Sequence, residues 1–185
     1  MPIILDRRAL HRIPELEWQL PKTMQYLTQN LQKLRCQLFQ PLDGALCAWF
    51  DFGAERAIAF RCDADALPIQ EKNRCDYSSI HPGRMHACGH DGHMAIVLEL
   101  ARRLDKKEQL GHNVLLVFQP AEETPGGAKD LCETGIFQKY GVEAIFGLHL
   151  WPGLPFGVVY SSCDELMARS CEVNIDIYGK SAHIA

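Results

Sequence analysis

The period of the apolar positions changes several times along the chain, and each change marks an element. Met24, Leu27, Leu31, Leu34 and Leu38 recur at helical spacing. They predict the buried face of a second helix, separated from a first at Pro14 and Pro21. "ALCAWFDF" and "RAIAFRCD" read as neighbouring strands joined by a turn at Gly53 and Ala54. In "GHMAIVLELARRL", Met94, Val97, Leu98, Ala101 and Leu104 form one stripe. Ile96 and Leu100 widen it, as in a helix lying on a sheet, and Asp91 is the expected N-cap. "NVLLVFQP" and "VEAIFGLHL" are almost continuously apolar, the pattern of strands covered on both faces. "GGAKDLCETGIF" between them reads as a crossover helix.

Strand, helix, strand in that order predicts an α/β layered domain. "CEVNIDIYG" behaves differently: Val173, Ile175 and Ile177 alternate with Glu172, Asn174 and Asp176, predicting a half-exposed strand. A domain boundary is therefore expected near Ala168 or Arg169, with residues 1–168 in the first domain and 169–185 opening a second. One strand and a turn cannot bury a core, so the sequence reads as part of a longer protein.

Composition narrows the function classes. The 185 residues are 47% hydrophobic and 23% charged, with a formal net charge of −4. That is an ordinary globular balance without the basic footprint of a nucleic-acid partner. No apolar stretch is long enough to span a bilayer, and no basic amphipathic helix suggests a membrane surface. The start, "MPIILDRRALHR", carries charge where a signal peptide needs an apolar core. The eight cysteines are irregularly spaced, and Cys47 and Cys62 fall in apolar runs where a free thiol acts as a small hydrophobe. The expectation is a reduced, cytoplasmic protein.

The chemistry concentrates where predicted strands end. "AIAFRC" runs into Asp63 and Asp65, "NVLLVFQPA" into Glu122 and Glu123, and "EAIFGL" into His149. "MHACGHDGHM", residues 85–94, adds three histidines, Cys88 and an aspartate just before a helix. Ligands of open α/β sheets bind beyond the carboxyl ends of the strands, so four distant segments can meet at one place. Singly, each has a plain structural reading: turn aspartates, a solvated glutamate pair, a core histidine, an inert thiol. Together, thiolate, imidazole and carboxylate suit zinc and neighbouring divalent ions. Gly89 between Cys88 and His90 allows a tight turn. A Cys–His thiol hydrolase with Cys88 as nucleophile is the rival, but it leaves the glutamates and His149 idle.

The motifs "LHRIPE", "RCDADALPI", "GRMHACGHDGHMA", "VFQPAEETPGGA", "GLHLWP" and "GKSAHIA" occur in an order that resembles the metal-dependent aminoacylase/carboxypeptidase superfamily. The resemblance runs from about Arg7 to the end and is greatest to the amidohydrolase branch. That branch holds hippurate hydrolases, N-acyl-amino-acid amidohydrolases, plant auxin-conjugate hydrolases and N-acetyldiaminopimelate deacetylases. It implies a zinc-peptidase-like layer with a mixed, largely parallel sheet between helices, then the start of an inserted α+β lid and dimerisation domain. It also implies a centre of two divalent ions, zinc or manganese, with cobalt or nickel as further choices. Cys88, His90, Glu123 and His149 fall on metal-ligand positions and Glu122 on the general base. Asp65 falls on a supporting active-site aspartate, and His183 on a lid histidine that reaches the substrate.

The implied reaction is hydrolysis of the amide bond of an N-acyl amino acid by a homodimer of the full-length protein. Two departures qualify it. Relatives read G-K-G-G-H-A-A where this chain has Gly179-Lys180-Ser181-Ala182-His183-Ile184-Ala185, which changes the lid loop. The final metal-ligand histidine of the family lies beyond residue 185. The chain alone is therefore expected to be a poor catalyst, or a metal-binding fragment. His86 and His93 have no assigned role, and His11 reads as structural or exposed.

Overall fold

The computed structural model describes residues 1–124, 126–166, 173, 175–180 and 183. Two compact units divide the chain, Met1–Leu150 and Trp151–Ala185. The first unit contains every helix and strand found among the described residues. It opens with α1 (Pro2–His11) and α2 (Pro21–Leu31), each with proline in its first turn, where the missing N–H breaks no helical bond. Then come β1 (Gln37–Phe39), β2 (Leu46–Phe50), β3 (Ala57–Asp63), α3 (His90–Leu104), β4 (Asn113–Gln119), α4 (Gly127–Glu133), α5 (Ile136–Lys139) and β5 (Val142–Gly147).

The strands form one mixed sheet in the order β1-β2-β4-β3-β5. β1–β2 and β2–β4 are antiparallel, while β3 runs parallel to both β4 and β5. β4 is buried along its whole length, and its alternate residues serve two cores. Val114, Leu116 and Phe118 pack with Leu10 of α1, Met24, Leu27 and Leu31 of α2, and the Met94–Leu104 stripe of α3. Leu115 and Val117 pack with Leu131 of α4 and Ile136 of α5. The period-2 pleat thus sends one strand's side chains into helical layers on both faces. This is the α/β layered architecture the apolar runs predict.

Four local expectations need correction. β2 and β3 are not neighbours, because β4 lies between them. Their connection passes the start of β4, where Asn113 Oδ1 accepts the Phe52 and Ala54 amides at 2.7 and 3.3 Å. Asn113 Nδ2 also donates to Ala54 O at 2.8 Å. The helical stripe ends early: α2 stops at Leu31, and Leu34 and Leu38 reach the same core from a turn and from β1. Asp91 does not cap α3; Gly89 holds that position at φ 94°, a left-handed conformation suited to glycine. Finally, β5 is not covered on both faces. It is the sheet's edge, and Ile145 and Phe146 are about half exposed at 50% and 51%.

Ala168 and Arg169, the expected boundary, lie outside the described residues, as does part of the strand expected around Val173. Val173, Ile175 and Ile177 are exposed and in no strand. No described helix is long and apolar enough to cross a membrane.

Candidate metal centre

Because β3, β4 and β5 share one direction, their carboxyl ends lie on one edge of the sheet, where α/β folds place ligands. β3 delivers Asp63 and then Asp65. Past β4, Ala121 takes φ 50° at the turn leading to Glu122 and Glu123. Past β5 comes His149. The left-handed Gly89 turns the chain between Cys88 and His90 at the start of α3.

Asp65 ties three of these segments together. Fully buried, its carboxylate accepts the Glu122 and Glu123 amides, both at 3.1 Å. Its carbonyl accepts His90 Nδ1–H at 2.8 Å. A carbonyl only accepts, so Nδ1 carries a proton and Nε2 is the ring atom left facing inward, with a free lone pair whenever the ring is neutral. That Nε2 is buried and has no hydrogen-bond partner. Around it stand Glu122 Oε2 and Glu123 Oε1, both at 3.6 Å, and Asp63 Oδ1 at 3.8 Å. These separations exceed hydrogen-bond length. They leave room between ligand atoms.

His149 repeats the arrangement. Its Nδ1–H donates to Leu150 O at 2.8 Å, which turns Nε2 toward Cys88 Sγ at 3.4 Å. Among the described residues, three groups each bring their donor atoms within 4.8 Å of one another: Cys88/His90/His149, His90/Glu122/Glu123 and Asp63/His90/His93. His90 belongs to all three. The orphaned imidazole nitrogen and the mixed thiol, imidazole and carboxylate donors fit a divalent cation. Imidazoles oriented through Nδ1 are the usual arrangement around such an ion.

The third group is different in kind. His93 Nδ1 lies 2.6 Å from Asp63 Oδ1, and its Nε2 accepts the Leu150 amide at 2.9 Å. Both ring nitrogens are used, so His93 has no lone pair left for an ion. Desolvation opposes charge on Asp63, but the His93 hydrogen bond and the charges of His90 and Arg61 outweigh it and lower its pKa to about 2.

Electrostatics separate the two chemical readings. Desolvation, reinforced by Glu123 and Glu122, pushes the Cys88 thiol up to about 12. A nucleophilic cysteine needs the opposite shift, so this environment does not favour Cys88 as an activated thiol. A coordinated cation would supply the missing positive charge. Desolvation also raises the Glu122 carboxyl above its ordinary value, with Asp63 and Glu123 adding to it and His90 opposing. That favours a group able to take up and hold a proton.

Of the residues singled out from sequence, Asp65, Cys88, His90, Glu122, Glu123 and His149 converge on this edge. His183 is exposed and lies in the second unit. The sequence places Asp63 among the strand-end carboxylates without a role of its own and assigns none to His93. Their signal was spacing: His93 is three residues after His90, on the same side of a helix, and Asp63 is the last residue of its strand.

Residues 59–184 match the model of peptidase family M20/M25/M40. The chain belongs to that family. An N-acetyldiaminopimelate deacetylase of Oceanobacillus iheyensis is 41% identical over 182 residues, which cover 97% of this chain and 49% of that protein. An uncharacterized hydrolase of Staphylococcus epidermidis is 40% identical over 186 residues, covering 99% and 49%. The chain thus spans about half the length of these relatives. A Bacillus subtilis dinuclear metal binding peptidase from the M20 family superimposes with a TM-score of 0.79 at 38% identity, over 84% of this chain and 44% of that one.

Proposed function

We propose that this chain supplies the larger part of a two-metal centre that hydrolyses the amide bond of an N-acyl amino acid. One observation carries the reading: two imidazoles are each held through Nδ1 by a backbone carbonyl, His90 with Nε2 beside the Glu122 and Glu123 carboxylates and His149 with Nε2 beside Cys88 Sγ, and His90 joins both groups of donors. Cys88, His90, Glu123 and His149 are the ligands. Zinc or manganese suits this donor set, with cobalt or nickel as substitutes. The deacetylase relative supports an acyl–nitrogen bond as the one cleaved.

Divalent ions bound there would lower the pKa of the attacking water and polarise the amide carbonyl. Glu122 is the general base. Its oxygen takes a proton from water, and its raised affinity keeps the proton until the leaving amine nitrogen needs it. Asp65 holds the backbone of Glu122 and Glu123 through their amides and fixes the His90 tautomer, so the base stays aimed without touching the substrate. His183 contacts the substrate from the lid, in a cytoplasmic homodimer of the full-length protein. The second domain begins near residue 169.

The test is hydrolysis of acetyl-, benzoyl- and indoleacetyl-amino acids by the full-length protein, before and after chelation. Activity lost on chelation and recovered with zinc or manganese supports the reading. Turnover indifferent to chelation overturns it.

A further inference from the structure

His93 is fully buried, lies on the helix that starts with His90, and stands at the edge of the metal centre without being able to serve it as a ligand. Its ring contacts explain why it is there. The Leu150 N–H can only donate, so His93 Nε2 must be the acceptor and Nδ1 must carry the proton toward Asp63. Asp63 is itself held: Arg61 donates to its Oδ2 at 2.9 Å and to Gln119 Oε1 at 2.8 Å. A continuous run of hydrogen bonds therefore leads from the ends of β3 and β4, through the His93 ring, to the amide of Leu150. The His93 ring also meets that of His149 edge-on, with centroids 4.7 Å apart. Gly92 clears the approach: a Cβ there would stand 2.5 Å from Leu150 Cδ1.

We propose that His93 is a positioning residue for the metal ligand His149, acting through the Leu150 amide. The segment it holds follows β5, the edge of the sheet, so strand pairing determines its place less than that of Glu123, which follows the doubly paired β4. By fixing the peptide after His149, His93 sets the direction in which the His149 ring leaves the backbone. Asp63 and Arg61 keep the His93 ring in the tautomer that accepts. The role rests on the reading of Cys88, His90 and His149 as metal-holding.

The experiment is a cobalt(II) titration of the 185-residue chain, followed through the thiolate-to-cobalt absorption that Cys88 would give. His93→Leu should weaken cobalt binding by roughly tenfold to a hundredfold, the usual effect of removing a residue that orients a ligand. His93→Gln places an amide oxygen near the position of Nε2 and should stay within a few-fold of wild type. His93→Asn keeps a donor for Asp63 but falls short of Leu150, so it should behave like His93→Leu. In a His149→Ala background the same substitutions should cause no further loss, because the residue they act through is gone. Should His93→Leu fail to fold, the Gln and Asn variants decide. Equal affinity in the Gln and Asn variants, or undiminished losses in the His149→Ala background, would overturn the role of His93. A wild-type chain that binds no cobalt would instead overturn the metal centre itself, and this inference with it.

Discussion

Two clusters of histidine and carboxylate flank the first turn of α3, and they are built to opposite ends. In one, His11 directs Nδ1 to Asp91 Oδ2 at 2.8 Å and Nε2 to Glu71 Oε1 at 3.1 Å. Arg7 adds a third contact, to Asp91 at 3.0 Å. Both ring nitrogens donate, so the ring is a buried imidazolium between two carboxylates. In the other, one helical position away, His90 gives up Nδ1 to a backbone carbonyl and leaves Nε2 without a partner, carboxylates standing off at 3.6 Å. The residue types are the same. What differs is whether the charges close on each other or leave room for a cation between them. The first arrangement ties α1 to α3 and stabilises the fold. The second keeps a buried polar atom unsatisfied, which is unfavourable unless something binds there.

The comparison breaks most visibly at Glu122. Glu122→Gln should keep metal bound in the full-length protein and lower turnover by a factor on the order of a hundred to ten thousand, the usual contribution of a general acid–base group. Glu123→Gln should instead reduce metal content. Metal analysis alongside kcat separates the two, and the reverse pattern would exchange their roles.

The His11 cluster should respond to stability measurements and not to metal. The Asp91 hydrogen bond raises the His11 pKa against the opposing effect of desolvation, with Glu71 adding to it. The folded value therefore exceeds the unfolded one, about 6.5. Its contribution is complete below that pH and is lost as pH rises through the raised folded value. His11→Gln should destabilise by about 1.5–3 kcal/mol at pH 6, the range for hydrogen bonds to charged groups, and by less at pH 9. Denaturant midpoints at the two pH values check this; a larger loss at pH 9 would contradict it. Arg7→Gln should matter less, about 0.2–1 kcal/mol, because the Arg7 side chain is 45% exposed and its ion pair is screened.

The same contrast between a residue's type and its partners explains what was legible beforehand. The runs that became β2, β3, β4 and the buried stripe of α3 were readable, because burial writes itself into the spacing of apolar residues. Strand order was not. Gly53 and Ala54 resemble a hairpin turn, and only the side chain of Asn113, distant in sequence, shows that the loop crosses β4. Leu34 and Leu38 were placed on a helix since periodicity reports burial and not the backbone that achieves it. "VEAIFGLHL" reads as buried on both faces although its strand forms an edge, because an apolar run says nothing about what lies beside it. At the site, convergence at strand ends followed from motif positions. The separation of His90 from His93 did not: both are buried histidines on one helix face, and only their hydrogen-bond partners distinguish the ring with an unpartnered Nε2 from the one with both nitrogens engaged.

The central claim is that Cys88, His90 and His149 hold a divalent ion that also gathers the Glu122–Glu123 carboxylates. X-ray absorption at the zinc edge of the metal-loaded chain tests it most directly. The account predicts a sulfur shell at about 2.3 Å beside nitrogen and oxygen neighbours at about 2.0–2.2 Å, with the sulfur shell absent in Cys88→Ser and the nitrogen contribution reduced in His149→Ala. A zinc environment of oxygen and nitrogen alone in the wild-type chain, unchanged by either substitution, would contradict it.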